Sequence, residues 1–230
     1  MVTITAIIPI KHTSTRVPGK NFRKMNGKPL FFYIIDTLLK VDQINTIVID
    51  TNSHIIFEQV PIYFKQHMHK IILYNRPVHL CYGDTPTNDL LINVIQQLNL
   101  SSDLYLQTHV TNPLLTKETI VNAIETYLSK KDTYECLFSV KTHHTRFYNK
   151  EGKDMNHNRF KLIPTQDLDP IYEENSCLYL FTKSVLETYK ARIGEHALLY
   201  PMSDLESQDI DWEQDFILTE LLMKSINNNL

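Results

Sequence analysis

Short apolar runs alternate with longer segments of helical periodicity along most of this chain, and that alternation restricts the possible fold more than any other feature. The first run, residues 2–10, is rich in β-branched residues and is typical of a buried strand. Strands separated by helices of about 10–15 residues form a mostly parallel sheet with helices on both faces. The sequence therefore predicts an α/β fold. We expect strands at 2–10, 46–50, 70–74, 103–107, 134–140, 176–181 and 197–200, and helices at 30–40, 54–64, 87–98, 116–130, 184–190 and 212–224.

One segment interrupts this rhythm. Residues 141–175 are polar and have weak periodicity, so we expect an excursion of hairpins or loops there. No internal repeat or low-complexity linker appears elsewhere in the chain. We therefore expect one domain over residues 1–230 that contains the excursion.

Composition excludes several classes of function. The 230 residues carry a net charge of −3, so binding of nucleic acid through bulk phosphate neutralisation is not expected. No apolar run approaches the roughly 18 residues of a membrane span, and no secretory signal precedes the first strand, so we expect no membrane partner. Three widely spaced cysteines favour a reducing compartment, which predicts a cytoplasmic protein. With five glycines, the chain has neither a dinucleotide-binding loop nor a P-loop.

The segment after the first strand concentrates cations and hydroxyls. In open α/β sheets, ligands bind beyond the carboxyl ends of the strands. Lys11, Arg16 and Lys20 lie there, with Ser14 among them, and such a loop suits a polyanion like a triphosphate. A solvated basic turn is the alternative. The ten histidines show no metal-ligand spacing, and we expect those at 67, 69, 143 and 144 to be surface or packing residues.

Five blocks of sequence carry a resemblance to a known family. Residues 7–30 read IIPIKHTSTRVPGKNFRKMNGKPL, which is similar to the N-terminal signature of acylneuraminate cytidylyltransferases, the CMP-sialic acid synthetases. Four further blocks match in order and spacing, so the resemblance extends over residues 7–216. They are Arg76-Pro77 with 84–87, LQTHVTNPLLT at 106–116, TQDLDPIYEENSCLYLF at 165–181, and Asp209-Ile210-Asp211 with Asp215.

The resemblance implies a fold, a reaction and a set of site residues. The fold would be Rossmann-like, of the nucleotidyltransferase type. The enzyme would transfer CMP from CTP to the anomeric hydroxyl of a nonulosonic acid with Mg²⁺ as cofactor. Lys20, Asp209 and Asp211 would be catalytic. CTP would contact Lys11, Ser14, Arg16, Lys20, Asn21, Arg76, Thr85 and Thr87, and the sugar would contact Gln107, Lys141, Tyr172, Glu174 and Asn175.

Asp209 and Asp211 would hold the magnesium ion, which needs only one or two carboxylates. On a strand, residues two apart share a face, so the pattern predicts that both side chains point the same way. The alternative is a surface acidic pair at the start of the last helix, with Asp211 as its N-cap.

The family also implies a homodimer, in which the excursion packs against a second subunit. The contacts would be Phe147, Tyr148, Phe160, Leu162 and Ile163. Two other functions stay open, because the chain has Lys11, His12 and Thr13 where the family has Arg and Gly residues, and Thr165 where it has Arg. One is a 3-deoxy-manno-octulosonate-type or other sugar nucleotidyltransferase. The other is a non-catalytic nucleotide-binding descendant.

Overall fold

The computed structural model describes residues 2–228. The strands are β1 (Ile4–Ile10), β2 (Lys24–Met25), β3 (Lys28–Pro29), β4 (Ile44–Thr51), β5 (Ile71–Asn75), β6 (Leu104–Thr108), β7 (Cys136–His143), β8 (Ile171–Phe181) and β9 (Ala197–Met202). The α-helices are α1 (Leu30–Leu39), α2 (His54–Tyr63), α3 (Thr87–Gln97), α4 (Lys117–Lys130), α5 (Lys183–Tyr189) and α6 (Glu213–Asn228).

Seven of these strands form one sheet in the order β5-β4-β1-β6-β8-β7-β9. Neighbours pair in parallel from β5 through β6, and β7 pairs in parallel with β9. Only β8 runs against its neighbours β6 and β7 among the described strands. The predicted mostly parallel sheet is therefore confirmed.

Helices cover both faces of the sheet, as predicted. Along β1, Ala6 and Ile8 face a core that α1, α2, α4 and α6 complete. Ile7 points to the opposite face, where it packs with Val48 of β4 and with α3 and α5. Because both faces of β1 are buried, its sequence is continuously apolar rather than alternating.

The predicted excursion is shorter in the structure. Residues 141–143 extend β7 and pair with residues 171–173 of β8, so the irregular part comprises residues 144–170. Residues 172–174 carry exposed polar side chains, and they gave no apolar pattern from which a strand could be predicted.

A short hairpin of β2 and β3 follows the first loop and was not predicted. Asn26 and Gly27 form its two-residue turn, both at positive φ, which is the conformation that an Asn-Gly pair favours. The backbone N–H of Asn26 donates to Glu220, which ties the hairpin to α6.

Candidate active site

The predicted site residues lie mainly at one edge of the sheet, beyond the carboxyl ends of β1, β6, β7 and β9. The loop after β1 leads into a single 3-10 turn, Lys20–Phe22. Gly19 precedes this turn at φ +67°, a left-handed conformation, and a Cβ there would meet the Phe22 ring at 3.1 Å. The glycine therefore allows the chain to reverse and point Lys20 back at the sheet.

Asn21 holds the first loop in place from below. Its side chain is buried, and its Nδ2 donates to the carbonyl oxygen of Lys11 at 2.7 Å. The carbonyl of Lys11 lies directly after β1. Asn21 therefore closes the loop over residues 11–21, which carries Lys11, Arg16 and Lys20.

Lys20 joins this loop to the acidic segment near the C-terminus. Its Nζ donates to the carbonyl oxygen of Ile210 at 2.5 Å, and the residue is 8% exposed. Burial lowers the pKa of Lys20, and the nearby carboxylates of Asp209 and Asp211 oppose that effect. The cationic head of Lys20 thus lies near the two carboxylates predicted to be catalytic.

The acidic segment is not a strand. Residues 208–211 run as an irregular connection between β9 and α6, and the N–H of Ile210 donates to the carbonyl oxygen of Thr111 at 3.0 Å. The expectation of a shared strand face is therefore wrong, because this segment pairs with a loop instead of a neighbouring strand. Both carboxylates nevertheless act on Lys20.

The two carboxylates have different surroundings. Asp209 Oδ1 is buried and has no hydrogen-bond partner among the described residues. Burial raises the pKa of Asp209 and the negative charge of Asp211 adds to the rise, while a hydrogen bond with Thr111 and the charge of Lys20 oppose it. Asp211 is partly exposed and accepts from Arg16 Nη2 at 2.6 Å. The N–H of Asp211 and that of Trp212 donate to Asp215, so the carboxylate of Asp215 accepts from the backbone at this end of α6.

Two cavities adjoin at this edge, and together they contain all eight residues predicted to contact CTP. The first is lined by Pro9, Lys11, Ser14, Thr15, Arg16, Lys20, Asn21, His109, Val110 and Thr111. The second is lined by Pro9, Lys11, Arg76, Tyr82, Gly83, Thr85, Thr87, Leu90 and His109. The first cavity is lined by three cations and by hydroxyl groups, which suit a triphosphate. The second cavity is more apolar, which suits a nucleoside.

Arg76 is anchored by a buried ion pair that sequence reasoning did not predict. Its Nε lies 3.0 and 3.1 Å from the carboxylate oxygens of Asp50, and its Nη2 donates to the Asp50 carbonyl at 3.0 Å. Burial raises the pKa of Asp50, and the Arg76 guanidinium opposes the rise. The pair links the ends of β4 and β5 under the second cavity.

Gln107 occupies a fully buried position at the end of β6. Its Oε1 accepts from Arg192 Nη1 at 2.6 Å, and its Nε2 lies 2.8 Å from His109 Nε2. Arg192 stacks on the Tyr179 ring, with its guanidinium carbon 3.6 Å from the ring centroid, and lies 3.8 Å from Glu174. A sugar contact by Gln107 stays a prediction.

A third cavity adjoins this cluster. It is lined by Thr87, Asn88, Glu174, Ala191, Arg192 and Ile193. Thr87 belongs to the second cavity as well, so the two cavities share a wall. Glu174 is the one predicted sugar residue that lines it.

The other four predicted sugar residues, Gln107 among them, line none of these cavities. Lys141 Nζ lies 3.4 Å from Asp204 Oδ1, and Tyr172 is exposed. Asn175 is buried in a hydrogen-bond network, where it accepts from Ser139 and donates to Ser207. The structure therefore brings the CTP residues together but leaves all predicted sugar residues except Glu174 outside the cavities.

Sequence reasoning missed His109, Thr111, Asp50 and Arg192. His109 and Thr111 lie within the block 106–116 that carried the resemblance, directly after β6, so their position at the sheet edge was available as a signal. No pattern pointed to Arg192, because its partner Gln107 is 85 positions away along the chain. Among the described residues, no group of three or more His, Cys, Asp or Glu side chains could hold a metal ion.

Comparison with known proteins supplies independent findings. The sequence model of the cytidylyltransferase family matches residues 5–223. CMP-N,N'-diacetyllegionaminic acid synthase of Legionella pneumophila is 30% identical over 96% of this chain and 96% of its own length. N-acylneuraminate cytidylyltransferase of Streptococcus agalactiae is 24% identical over 92% of this chain and 51% of its own length.

One solved structure shows the same fold at low sequence identity. It is described as CMP:2-keto-3-deoxy-manno-octonic acid synthetase complexed with CTP, and it matches with a TM-score of 0.67 at 12% identity. The match covers 97% of this chain and 99% of that one. The Rossmann-like fold of the nucleotidyltransferase type is therefore confirmed.

Proposed function

Because the chain belongs to the cytidylyltransferase family, we propose that it transfers CMP from CTP to the anomeric hydroxyl of a nonulosonic acid. It is a nucleotidyltransferase enzyme of the acylneuraminate type. In the proposed reaction the hydroxyl oxygen forms a bond to the α-phosphorus, and the bond from that phosphorus to the bridging oxygen breaks. Pyrophosphate leaves with the electron pair, and the hydroxyl proton is released.

The observation that carries this proposal is the cationic first cavity beside the two carboxylates. Lys11, Arg16 and Lys20 provide three positive charges against the roughly four negative charges of a triphosphate, and Ser14 adds a hydroxyl. Phosphoryl transfer depends mainly on positioning and electrostatic stabilisation. These residues would bind the triphosphate and stabilise the charge of the departing pyrophosphate.

Asp209 and Asp211 fit a magnesium ion. The buried Asp209 Oδ1 lacks a hydrogen-bond donor, so a cation would satisfy it. Magnesium takes one or two carboxylates and keeps several waters, so a cluster of three acidic ligands is not needed. When bound, the ion supplies charge neutralisation at phosphate oxygens. Arg16 is then free to leave Asp211 for the triphosphate, since this pair is partly exposed.

The second cavity would take the cytidine. Thr85 and Thr87 offer hydroxyl and backbone groups that can read the donor and acceptors of cytosine without a net charge. Arg76 keeps its pairing with Asp50 and forms the wall of the cavity. Because the two cavities share Lys11 and His109, a nucleoside in the second cavity would be joined to a triphosphate in the first.

The sugar acid would enter from the side of the third cavity, where Glu174 can accept from its hydroxyls. Lys141, Tyr172 and Asn175 remain candidate sugar residues on the same edge. Support for a nonulosonic acid comes from two relatives named for the activation of such acids, one of them for a diacetyllegionaminic acid. We therefore place a legionaminate-type acid first among the candidate substrates.

We also propose a homodimer and a cytoplasmic location. The irregular segment 144–170 displays Phe160 at 92% and Leu162 at 71% exposure, which is unusual for apolar side chains in contact with water alone. A second copy of the chain would cover them.

Three free thiols suit a reducing compartment. No α-helix among residues 2–228 has the length and apolar character of a membrane span.

The test is pyrophosphate release with CTP and Mg²⁺ against legionaminate, N-acetylneuraminate, pseudaminate and 3-deoxy-manno-octulosonate. UTP and GTP serve as nucleotide controls. We expect turnover with CTP and one nonulosonic acid. Turnover with 3-deoxy-manno-octulosonate alone would overturn the proposed sugar class, and turnover with UTP or GTP instead of CTP would overturn the nucleotide.

Matched variants test the carboxylates in the same assay. Asp211→Ala is expected to abolish pyrophosphate release without lowering the melting temperature, because Asp211 is partly exposed and its recorded side-chain hydrogen bond is to Arg16. Asp132→Ala, an exposed acid in the turn after α4, is the control and should be unchanged. Equal losses of activity and melting temperature in Asp211→Ala would identify a structural carboxylate.

A further inference from the structure

His109 lies where the first and second cavities meet. Of the residues that the structure describes, only Pro9, Lys11 and His109 line both of them. If the triphosphate occupies the first cavity and the nucleoside the second, the α-phosphate that joins them must lie at this junction. Proline has no donor to offer. Lys11 and His109 are therefore the two side chains placed to donate to that group.

The hydrogen bonds behind His109 determine which of its nitrogens carries the proton. An arginine can only donate, so the oxygen of the Gln107 amide must face Arg192, at 2.6 Å. The amide nitrogen then faces His109 Nε2 at 2.8 Å and donates to it. An accepting Nε2 carries no hydrogen in a neutral ring, so the hydrogen is on Nδ1.

The charges around the ring favour its neutral form. Burial lowers the pKa of His109 to about 3, and the cations of Arg192 and Lys20 add to the effect. Among residues 2–228 no hydrogen bond involves His109 Nδ1. The imidazole thus keeps one donor without a protein partner, at the junction of two cavities and beside several cations.

We propose that His109 is a substrate-contacting residue that donates its Nδ1 hydrogen to the α-phosphoryl group of bound CTP, and that Gln107 and Arg192 are positioning residues that hold the ring in this tautomer. The inference rests on the proposed function, because it takes the ligand to be CTP. A neutral donor aimed at an oxygen that gains charge during transfer lowers the barrier without needing to reorganise. In this proposal Gln107 orients His109 and does not contact the sugar.

The tautomer can be read without any substrate. Protein with ¹⁵N-labelled histidine gives long-range nitrogen–proton correlations that distinguish a protonated Nδ1 from a protonated Nε2. We expect the Nδ1–H form for His109. In Gln107→Glu the carboxylate accepts from both neighbours, so the hydrogen should move to Nε2. A wild-type ring protonated on Nε2 alone would overturn the proposal.

Substitutions of His109 test the donor itself in the pyrophosphate assay. The amide nitrogen of Asn takes the place of Nδ1, and that of Gln takes the place of Nε2. We expect His109→Gln to lose on the order of 10²–10³ in kcat, whereas His109→Asn keeps activity within about tenfold of the wild type. Gln107→Glu should lose kcat; because it also removes the hydrogen bond from Gln107 Nε2 to the Thr108 carbonyl, its melting temperature is measured so that kcat is compared on folded protein. The exposed His196 serves as control, and His196→Asn should be unchanged.

The outcomes separate this inference from the proposed function. If wild-type protein neither binds CTP in calorimetry nor releases pyrophosphate, the proposed function fails. If it does both and His109→Gln is within about twofold of wild type, the contact with His109 is wrong and the function stands. If His109→Gln does not fold, Gln107→Glu decides: a shifted tautomer with unchanged kcat overturns the proposal.

Discussion

Replacing Arg76 by methionine separates two roles that the structure assigns to one side chain. Arg76 lines the second cavity, and it also neutralises Asp50, which is 1% exposed. Methionine retains much of the buried volume but removes the charge and every hydrogen bond to Asp50. The variant therefore leaves a buried carboxylate without a partner.

The size of the effect follows from that geometry. Breaking a buried pair by removing one partner costs about 3–5 kcal/mol, because the remaining charge is desolvated and uncompensated. For a chain of this size each kcal/mol lowers the melting temperature by roughly 2–4 °C, so we expect a fall of about 6–20 °C. The double variant Asp50→Asn with Arg76→Met removes both charges and should recover most of this loss.

The assay is urea unfolding of the wild type, both single variants and the double variant. Without Arg76 the folded pKa of Asp50, already raised by burial, should rise further. A raised folded pKa means that the folded state binds more protons, so the stability of Arg76→Met should improve as the pH is lowered. A single variant as stable as the wild type, or a double variant no better than Arg76→Met, would refute this reasoning. KM for CTP, measured in the double variant, then shows whether Arg76 also contacts the nucleotide.

Three further predictions address the site and its first loop. Asp209→Asn should lower kcat by on the order of 10²–10³ while thermal melting shows equal or greater stability, since burial disfavours the charged form; a parallel loss of stability would contradict this. His109 is neutral in the fold with a pKa of about 3 against 6.5 for the free side chain, so its contribution to stability is present above pH 6.5 and is lost as the pH falls towards 3. Urea unfolding at several pH values should show a slope in this window, up to about 1.4 kcal/mol per pH unit, that His109→Asn removes. Gly19→Ala should destabilise by about 1–2 kcal/mol in the same assay through its positive φ and the contact with Phe22, and by more than Gly27→Ala, whose Cβ would meet nothing within 4 Å.

Most of the fold could be predicted because its elements are strongly patterned. The central strands are buried on both faces and appear as continuous apolar runs, and the helices between them have one apolar side. Where pattern was absent, prediction failed: residues 172–175 of β8 carry polar groups, and the bulged pairing between β7 and β8 near Ser139 has no apolar signature. The hairpin at 24–29 has strands of only two residues each, too short to show the alternation of apolar and polar residues that predicts a strand.

The same limit applies to the candidate site. Its charged side chains could be predicted from residue types, whereas its contacts through backbone atoms could not. Cations after a strand and carboxylates two apart are visible in the sequence, and the structure brings both sets to one edge. The hydrogen bonds that join the two sets cannot be predicted from the sequence. Lys20 donates to the carbonyl of Ile210, and the N–H of Ile210 donates to the carbonyl of Thr111. Every residue offers such backbone groups, so no spacing distinguishes these from others. The charges of the site could therefore be predicted from the sequence, whereas the contacts that hold them at working distance required the fold.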